Sequence, residues 1–279
     1  MEARRLMEWT ASDKYMGGVP RRIVFAAVGL FAKTVTTVLN KTSVLNGDTL
    51  IRLVRSRPQG LPLITVSNHM STLDDPLLWG FSGFPTMDYR SARWVLAAQD
   101  ICFRNSLFSY FFRLGKCIPI TRGGGINQEH MDEALERLMD GDWLHTFPEG
   151  KVSQEGAPVK RLKWGTASLI VRAPSTPIVL PIVHHGFHEV FPEKHFFGRR
   201  PLFPLCHKNV KIIVGEPMEF DIPKLRELAF LSSREFSCSS AGWSSKHELD
   251  ETAQKRLLTM ISDEIQVKLE NLRSLLITS

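Results

Sequence analysis

The sequence predicts a single α/β domain in which helices flank a mixed, mostly parallel sheet, with an interfacial helix before it and an amphipathic helix after it. Short apolar runs typical of strands alternate with helical patterns along the chain, and this alternation favours the α/β class. The composition, 43% hydrophobic and 23% charged, is ordinary for a globular protein with a real core. A length of 279 residues has room for one such domain with additions or for two small domains.

Three segments follow from this pattern. Residues 1–45 form a basic N-terminal segment with one helix, 46–225 form the main domain, and 226–279 carry a serine-rich loop and a closing helix. Nothing in the first twenty residues resembles a secretory signal, since no apolar core follows the first basic residues.

The apolar stretch 23–39 follows Arg21 and Arg22 and contains Lys33. A membrane span needs about 20 apolar residues. This stretch is shorter and carries a lysine, so we predict an interfacial or half-inserted helix with its basic flank on anionic headgroups. An ordinary buried helix is an equal alternative, and a full transmembrane span is the least favoured of the three.

Charge and cysteine content limit the classes of partner and compartment. The net charge of +6 suits an anionic partner, such as a nucleic acid, a phospholipid headgroup or a phosphorylated cofactor, although a merely soluble basic surface explains it equally well. The four cysteines form no C-x-x-C pair, which predicts reduced thiols in a chain that does not fold in an oxidising lumen. The sequence contains no zinc-ligand spacing, and we predict no metal.

The first strand, predicted at 63–66 after a helix over 48–57, leads into the motif Asn-His-Met-Ser-Thr-Leu-Asp-Asp-Pro. His69 and Asp74 are five positions apart, which on a regular helix would separate them by about 140°. They can meet only where a strand end turns into a helix start. Ser71 with Asp74 is typical of a capping box at such a point. The alternative is that Asp75 caps the helix and Pro76 takes its first position.

A histidine held by a carboxylate is a usable general base near neutral pH. The sequence has no G-x-S-x-G elbow, so we expect His69 to activate the hydroxyl or amine of a bound substrate rather than a covalent enzyme nucleophile. A solvated loop histidine beside a helix-capping Asp74 explains the same residues without chemistry and carries about equal weight.

Two further strands end in polar side chains. The first, within 115–125, ends at Arg122 and three glycines, a pattern that suits an anion although it is also typical of a flexible turn. The second, within 142–150, ends in a Pro-Glu-Gly turn that places Glu149 where open α/β sheets bind ligands, with Gly150 supplying backbone freedom.

Other stretches complete the prediction. The aromatic residues of the stretch 105–112 suit the water–lipid boundary of a membrane. Their helical spacing, however, favours core positions for Phe108 and Phe112. The cationic stretch 160–165, which includes Lys163, favours a headgroup or phosphate contact over a solvated turn. The remaining predicted elements are a strand or short helix at 92–98, helices at 128–139 and 166–172, strands at 178–183 and 210–215, a serine-rich loop at 232–245, and a closing helix through Leu257, Ile261, Ile265, Leu269 and Leu272. His184 and His185, after the strand at 178–183, are assigned a structural role in preference to a catalytic one.

Four blocks together resemble the glycerolipid acyltransferase family: Asn-His-Met-Ser-Thr-Leu-Asp at 68–74, Gly-Lys-Cys-Ile-Pro-Ile-Thr-Arg at 115–122, Phe-Pro-Glu-Gly-Lys-Val-Ser at 147–153 and Val-Leu-Pro-Ile at 179–182. Within that family the chain is similar to the tafazzin group. It looks closest to a plant branch that includes enzymes described as lysophospholipid acyltransferases and N-acylphosphatidylethanolamine synthases.

The resemblance implies a role for each matching residue. His69 would be the general base and Asp74 its partner, while Arg122, Glu149 and Gly150 would hold the glycerol-phosphate part of the acceptor. A strand containing Pro181 would shape the acyl or acceptor pocket. Ser71 and Lys163 are two further candidate substrate-binding residues.

The implied activity is transfer of a fatty acyl group from acyl-CoA to the amine of phosphatidylethanolamine, to the hydroxyl of a lysophospholipid, or to both. Acyl-CoA is then a co-substrate, and we expect no bound cofactor and no nucleic-acid partner. The alternatives are a CoA-independent transacylase that remodels cardiolipin and a non-catalytic lipid-binding protein. We expect peripheral or monotopic attachment on the side facing a reducing compartment, at the plasma membrane or another cell membrane, with a mitochondrial membrane as the alternative.

Overall fold

One seven-stranded sheet organises the computed structural model, which describes residues 6–12, 14–154, 158–195, 198–236 and 251–278. Its strands are β1 (Lys41–Leu45), β2 (Leu63–Ser67), β3 (Trp94–Ala98), β4 (Cys117–Ile120), β5 (Trp143–Thr146), β6 (Ile178–His185) and β7 (Asn209–Val214). They lie in the order β1-β7-β6-β2-β5-β3-β4. The β6–β7 pair is antiparallel and the other pairs are parallel. The predicted mixed, mostly parallel sheet is therefore confirmed.

Helices cover both faces of this sheet. They are α1 (Val19–Lys33), α2 (Gly47–Ser56), α3 (Asp74–Leu78), α4 (Gln99–Cys102), α5 (Ser106–Leu114), α6 (Glu129–Met139), α7 (Gly165–Arg172), α8 (Phe187–Val190), α9 (Ile222–Phe236) and α10 (Glu251–Thr278). Turns of 3₁₀-helix at Glu8–Ala11 and Tyr15–Gly18 precede α1, which continues as a π-helical segment, Thr34–Leu39. Strand β1 lies within the predicted N-terminal segment and joins the sheet beside β7.

The core divides into two layers because successive residues of a strand point to opposite faces. In β2, Leu63 packs with α2 and α3, whereas Ile64 packs with α6, α7 and α10. All five residues of β2 are buried, as expected for a central parallel strand covered on both faces. The closing helix α10 buries Leu257, Ile261 and Leu269 in the core layer that contains Ile64, so it packs on its own domain.

Helix α1 is half-embedded in the protein. Phe25 and Ala32 are buried against the domain, but Ile23 is 63% exposed and Leu30 59%. The helical run Tyr15–Leu39 has a mean hydropathy of 1.6 in its most apolar window, of which 28% is buried. By length and composition it is the one helix among the described residues that could cross a membrane. An apolar face therefore remains uncovered on this helix.

The predicted basic flank of α1 is wrong for Arg21. This side chain is 2% exposed, and its Nη2 donates to the carbonyl oxygen of Ala11 at 2.6 Å. The 3₁₀ turn before the helix leaves carbonyl groups that only a donor can satisfy, so Arg21 turns inward. Arg22 lies at the surface, with its guanidinium over the ring of Tyr89.

Two other predictions were also wrong. Phe108 was placed in the core but is 36% exposed, because α5 turns Ser109, Arg113 and Leu114 inward instead; Phe112 is half-buried. The predicted serine-rich loop begins inside α9, where the hydroxyl of Ser232 donates to the carbonyl oxygen one turn earlier. Residues 237–245 of that loop lie outside the described part of the chain.

Candidate active site

The site begins at the carboxyl ends of β2 and β5, which are parallel neighbours. The segments after these two strands are hydrogen-bonded to each other. The amide of Ser153 donates to the carbonyl oxygen of His69 at 2.8 Å, and the amide of His69 donates to Oε1 of Glu149 at 3.1 Å. Two motifs that are 80 residues apart in sequence therefore form one structural unit at this edge of the sheet.

His69 and Asp74 meet as the motif predicted. Nδ1 of His69 lies 2.9 Å from Oδ2 of Asp74, which is the first residue of α3. The same oxygen accepts the backbone amides of Met70 at 2.6 Å and Ser71 at 2.8 Å. A carboxylate oxygen only accepts hydrogen bonds, so Nδ1 carries the proton and Nε2 is left as the basic nitrogen. Asp74 is fully buried, whereas the side chain of His69 is 20% exposed.

The strand-to-helix turn uses part of the predicted capping box. Asp74 accepts the amide of Ser71, and the hydroxyl of Ser71 accepts the amide of Leu73 at 3.3 Å. Ser71 is fully buried, so its contacts are with this turn and with the carbonyl oxygen of Phe191. The alternative cap at Asp75 is wrong. That residue lies inside α3 and pairs with the guanidinium of Arg93.

The Asp75–Arg93 pair fixes α3 against β3. Nε of Arg93 donates to Oδ1 of Asp75 at 2.9 Å. Burial opposes ionisation of the Asp75 carboxyl, but the charge and hydrogen bonds of Arg93 outweigh it and hold the pKa of Asp75 below its ordinary value. The helix that carries Asp74 is thus anchored by an ion pair one residue further along.

A second histidine lies beneath the imidazole of His69. The ring of Phe147 stacks on His69 with centroids 4.1 Å apart, and His145 packs edge-on against Phe147 at 4.5 Å. Nδ1 of His145 lies 2.8 Å from the hydroxyl of Thr65. Complete burial lowers the pKa of His145 to about 3, so its imidazole is neutral at ordinary pH. Neither His145 nor Phe147 was identified as part of the site from the sequence.

A third histidine, His184, lies beside Asp74 of the His69–Asp74 pair. Its Nε2 is 2.9 Å from the carbonyl oxygen of Asn68 and 3.5 Å from Oδ2 of Asp74. Burial lowers the pKa of His184 as well. The side chain of Asn68 makes two hydrogen bonds, of 2.9 and 3.0 Å, with the backbone of His184. The predicted structural role fits these contacts. What the sequence did not show is that this histidine touches the buried carboxylate.

Glu149 and Gly150 support the motif from the β5 side. Burial raises the pKa of Glu149, although hydrogen bonds from the backbone amides of His69 and Lys160 act in the other direction. Gly150 has a φ of +71°, and a Cβ there would lie 2.7 Å from Nζ of Lys163. The absence of a side chain at 150 therefore leaves room for Lys163 to lie over the turn.

An open cleft of about 790 Å³ begins at His69. Apolar side chains such as Leu96, Ile120 and Leu258 form much of its wall. Arg122 and Lys163 add positive charge to it, and Gly150 lies in its wall. Arg122 is half exposed and pairs with Asp100, while Pro181 is buried within β6. Asp74, Ser71 and Glu149 lie behind this wall rather than in it.

Two of the described cysteines, Cys102 and Cys117, do not supply an obvious alternative nucleophile. Burial raises the pKa of Cys102 to about 11, and it raises that of Cys117 even further. Both thiols are therefore protonated near neutral pH, whereas the thiolate is the reactive form. Among the described residues the cleft thus favours a histidine base acting on a bound substrate.

Comparison with known proteins gives three findings. A family model described as Acyltransferase matches residues 50–185, a range that contains all four motif blocks. The chain is 59% identical over 278 residues to N-acylphosphatidylethanolamine synthase of Arabidopsis thaliana, covering 97% of this chain and 98% of that protein. It is 42% identical over 205 residues to tafazzin of Drosophila melanogaster, covering 73% of this chain and 52% of that protein.

One solved structure also aligns with the fold. It is the crystal structure of 1-acyl-sn-glycerophosphate acyltransferase from Thermotoga maritima, with a TM-score of 0.49 and 21% sequence identity. The alignment covers 88% of this chain and 81% of that chain.

Proposed function

The chain belongs to the acyltransferase family and is a phospholipid acyltransferase, and from this premise we propose that it moves a fatty acyl group from acyl-CoA to the amine of phosphatidylethanolamine. The hydroxyl of a lysoglycerophospholipid is the second proposed acceptor. Similarity over nearly the whole chain to a protein named N-acylphosphatidylethanolamine synthase supports the first acceptor. The observation that carries the proposal is an imidazole at the cleft, oriented by a buried carboxylate at 2.9 Å.

In the proposed reaction His69 is the general base and Asp74 its orienting partner. Nε2 of His69 takes a proton from the acceptor nitrogen or oxygen while that atom attacks the thioester carbonyl carbon. The new C–N or C–O bond forms, the C–S bond breaks, and the imidazolium returns the proton to the departing thiolate of CoA. The Asp74 carboxylate stabilises the imidazolium between these two steps.

The cleft offers charge for the phosphate groups and apolar surface for the acyl chain. We assign phosphate contacts to Arg122 and Lys163, because both cations lie in the cleft and guanidinium and ammonium groups bind phosphate well. Gly150 shapes the wall, and Glu149 orients the backbone of His69 from behind it. Ser71 acts in the same indirect way, since it is buried in the turn that presents Asp74.

A CoA-independent transacylase is the alternative. The similarity to tafazzin favours it, and the same base would serve, with a phospholipid ester in place of the thioester. In that case the leaving group is a lysophospholipid alkoxide, which takes the proton from His69. The histidine and its carboxylate do not distinguish these donors, so the donor has to be measured.

The deciding experiment offers purified protein a labelled acyl-CoA or a labelled phosphatidylcholine, each with phosphatidylethanolamine, lysophosphatidylethanolamine or lysocardiolipin as acceptor, and separates the products by mass. We expect labelled N-acylphosphatidylethanolamine that depends on acyl-CoA. Label transferred from phosphatidylcholine without CoA would replace the proposal with the transacylase. Product from neither donor would contradict both.

We also infer that the protein binds a membrane as a peripheral or monotopic protein, on the side that faces a reducing compartment. The uncovered apolar face of α1 and the phospholipid substrates support this arrangement. The plasma membrane or another cell membrane is the proposed site, with a mitochondrial membrane as the alternative.

A further inference from the structure

Outside the cleft, two histidines and one glutamate lie together at the end of β6. Nitrogen atoms of His185 and His188 and a carboxylate oxygen of Glu189 all lie within 4.8 Å of one another. The two imidazole rings are 4.7 Å apart with an interplanar angle of 64°. The reaction proposed above uses none of these three side chains.

The backbone fixes this arrangement. His185 is the last residue of β6, where it is paired in register with Lys211 of β7. Gly186 turns the chain with a φ of +100°, and a Cβ at this position would lie 2.2 Å from the carbonyl oxygen of Asn209. The turn is therefore tight and specific to glycine. It leads directly into α8.

Helix α8 is anchored through its two ends. Phe187 and Val190 are fully buried in the core, and the amide of Glu189 donates to the carbonyl oxygen of Gly186 at 3.0 Å. The two residues between these anchors, His188 and Glu189, are left nearer the surface. Three potential ligand groups are thus held on a rigid strand end and a rigid turn rather than on a long loop.

One ring nitrogen of a cluster residue has no partner among the described residues. Nδ1 of His188 is buried and accepts or donates no hydrogen bond within that part of the chain. A buried imidazole nitrogen without a partner is unfavourable, and binding a metal ion is one of the ways in which such an atom is satisfied. This observation is independent of the clustering of the three side chains.

We propose that His185, His188 and Glu189 form a binding site for a divalent transition-metal ion, with Zn²⁺ as the expected ion. Two imidazoles and one carboxylate are a donor set that Zn²⁺ accepts, at nitrogen distances of about 2.0–2.1 Å. Three protein ligands leave a fourth position for water. The donors are separated by up to 4.8 Å, and binding one ion requires the exposed Glu189 and the half-buried imidazoles to rotate closer together.

A metal ion here would join the end of β6 to α8. The neighbouring residue His184 contacts both Asn68 and Asp74, so the ion would stabilise the strand end that supports the motif after β2. The proposal is structural and does not depend on the identity of the acyl donor or acceptor. It also revises the expectation of no metal, because the three ligands were not recognised as a cluster from the sequence.

The test is calorimetric titration of the full-length, tag-free chain, freed of metal by a chelator, with ZnCl₂. We expect one equivalent to bind the wild-type chain. His188→Ala and Glu189→Gln should each lose more affinity than the roughly 10–100-fold that follows loss of an outer-shell partner. His130→Ala is the matched control, since His130 lies on α6 outside the cluster, and it should bind as the wild type does. Glu189→Gln is conservative and exposed, so it tests the site even if His188→Ala folds poorly.

A second measurement identifies the ligands. Co²⁺ bound at this site should give visible d–d absorption without the near-ultraviolet band of a cobalt–thiolate bond, and the melting temperature should rise with metal in the wild type but not in Glu189→Gln. Absence of stoichiometric binding to the wild type would overturn the proposal. Equal binding by the His188 and Glu189 variants, or a thiolate band, would overturn it too, since the ion would then lie elsewhere.

Discussion

Oδ2 of Asp74 accepts hydrogen bonds from the imidazole of His69 and from two backbone amides, those of Met70 and Ser71. The carboxylate therefore has two functions that a substitution can separate. It holds the turn between β2 and α3 in shape, and it sets which nitrogen of His69 carries the proton. A variant that keeps the shape but loses the charge tests the second function alone.

Asp74→Asn is that variant. The asparagine oxygen can still accept from the turn, but it provides no negative charge to stabilise the imidazolium of His69. We expect kcat to fall by about 10²–10⁴-fold, as it should in His69→Ala, with a melting temperature near that of the wild type. Asp74→Ala should lose activity and stability together, because it leaves two buried amides unpaired at about 1–3 kcal/mol each.

The control for this series is His130→Ala, which removes a histidine that does not line the cleft. Steady-state kinetics with acyl-CoA and phosphatidylethanolamine give kcat, and circular dichroism gives the melting curve. Wild-type kcat in folded His69→Ala or Asp74→Asn would show that this pair is not the base.

Gly150 combines a left-handed backbone with a close neighbour. Gly150→Ala introduces strain at a φ of +71° and places a methyl group 2.7–2.8 Å from the side chain of Lys163. We expect a loss of unfolding free energy above the roughly 1 kcal/mol of backbone strain alone, together with a higher KM as Lys163 is displaced. Urea denaturation and steady-state kinetics measure the two effects.

Gly60→Ala is the control that introduces backbone strain without a steric clash. Gly60 has a φ of +80°, but a Cβ there would meet nothing within 4 Å, and the residue lies outside the cleft lining. This variant should lose the strain energy and keep the wild-type KM. If Gly150→Ala and Gly60→Ala behave alike in both measurements, the proposed role of Lys163 beside Gly150 is wrong.

At the level of elements, α1 and α5 are in contact and both present apolar side chains outward. Ile23 and Leu30 of α1 and Leu107 and Phe111 of α5 are all more than half exposed. Exposed apolar side chains on two helices that contact each other support the proposed membrane binding. Phe108 of α5, which was expected in the core, is also partly exposed, whereas Phe112 packs against the core.

Ile23→Ser combined with Leu30→Ser should weaken vesicle binding strongly. Burying each such side chain contributes about 1.5–3 kcal/mol, so each serine should reduce the partition coefficient by roughly tenfold or more. Sedimentation with vesicles of neutral and of anionic lipid measures it. Leu202→Ser is the matched control, because Leu202 is 86% exposed in the segment between α8 and β7.

The electrostatic part of this attachment has its own readout. At low salt we expect stronger binding to anionic than to neutral vesicles, with the difference reduced as ionic strength rises. Unchanged binding of the Ile23 and Leu30 double variant would exclude α1 as the attachment. Equal binding of the wild type to both lipids would remove the electrostatic contribution.

Across the whole molecule, the sequence predicted contacts within one segment better than contacts between segments. His69 and Asp74 were paired correctly because both lie in one strand-to-helix turn, where spacing and capping residues restrict the geometry. The missed residue His145 comes from β5, and His184, whose structural role was predicted without its contact to Asp74, comes from β6. Both reach the motif only because those strands flank β2. A single sequence does not show which strands are neighbours. It also does not show that the turn about ten residues before Arg21 presents carbonyl groups to this side chain.

These two buried histidines also contribute to the pH dependence of the stability of the fold. The pKa of His145 is about 3 in the folded chain and about 6.5 in the unfolded chain, so below pH 6.5 the unfolded state binds more protons. Stability is therefore fully present above pH 6.5 and falls as pH decreases towards 3. The slope approaches about 1.4 kcal/mol per pH unit for this group, and His184 acts in the same direction.

His145→Gln should keep a polar partner for Thr65 while removing the titration. We measure its unfolding free energy by urea denaturation between pH 4 and 7. As pH decreases, this free energy should fall less steeply than that of the wild type, by a slope that corresponds to nearly one proton taken up on unfolding. Glu149, whose pKa is raised, opposes the wild-type slope, and for that reason the comparison uses the difference between variants rather than the absolute curve. His207→Gln, at an exposed position, should run parallel to the wild type. Parallel curves for His145→Gln and the wild type would mean that His145 is not held neutral by burial.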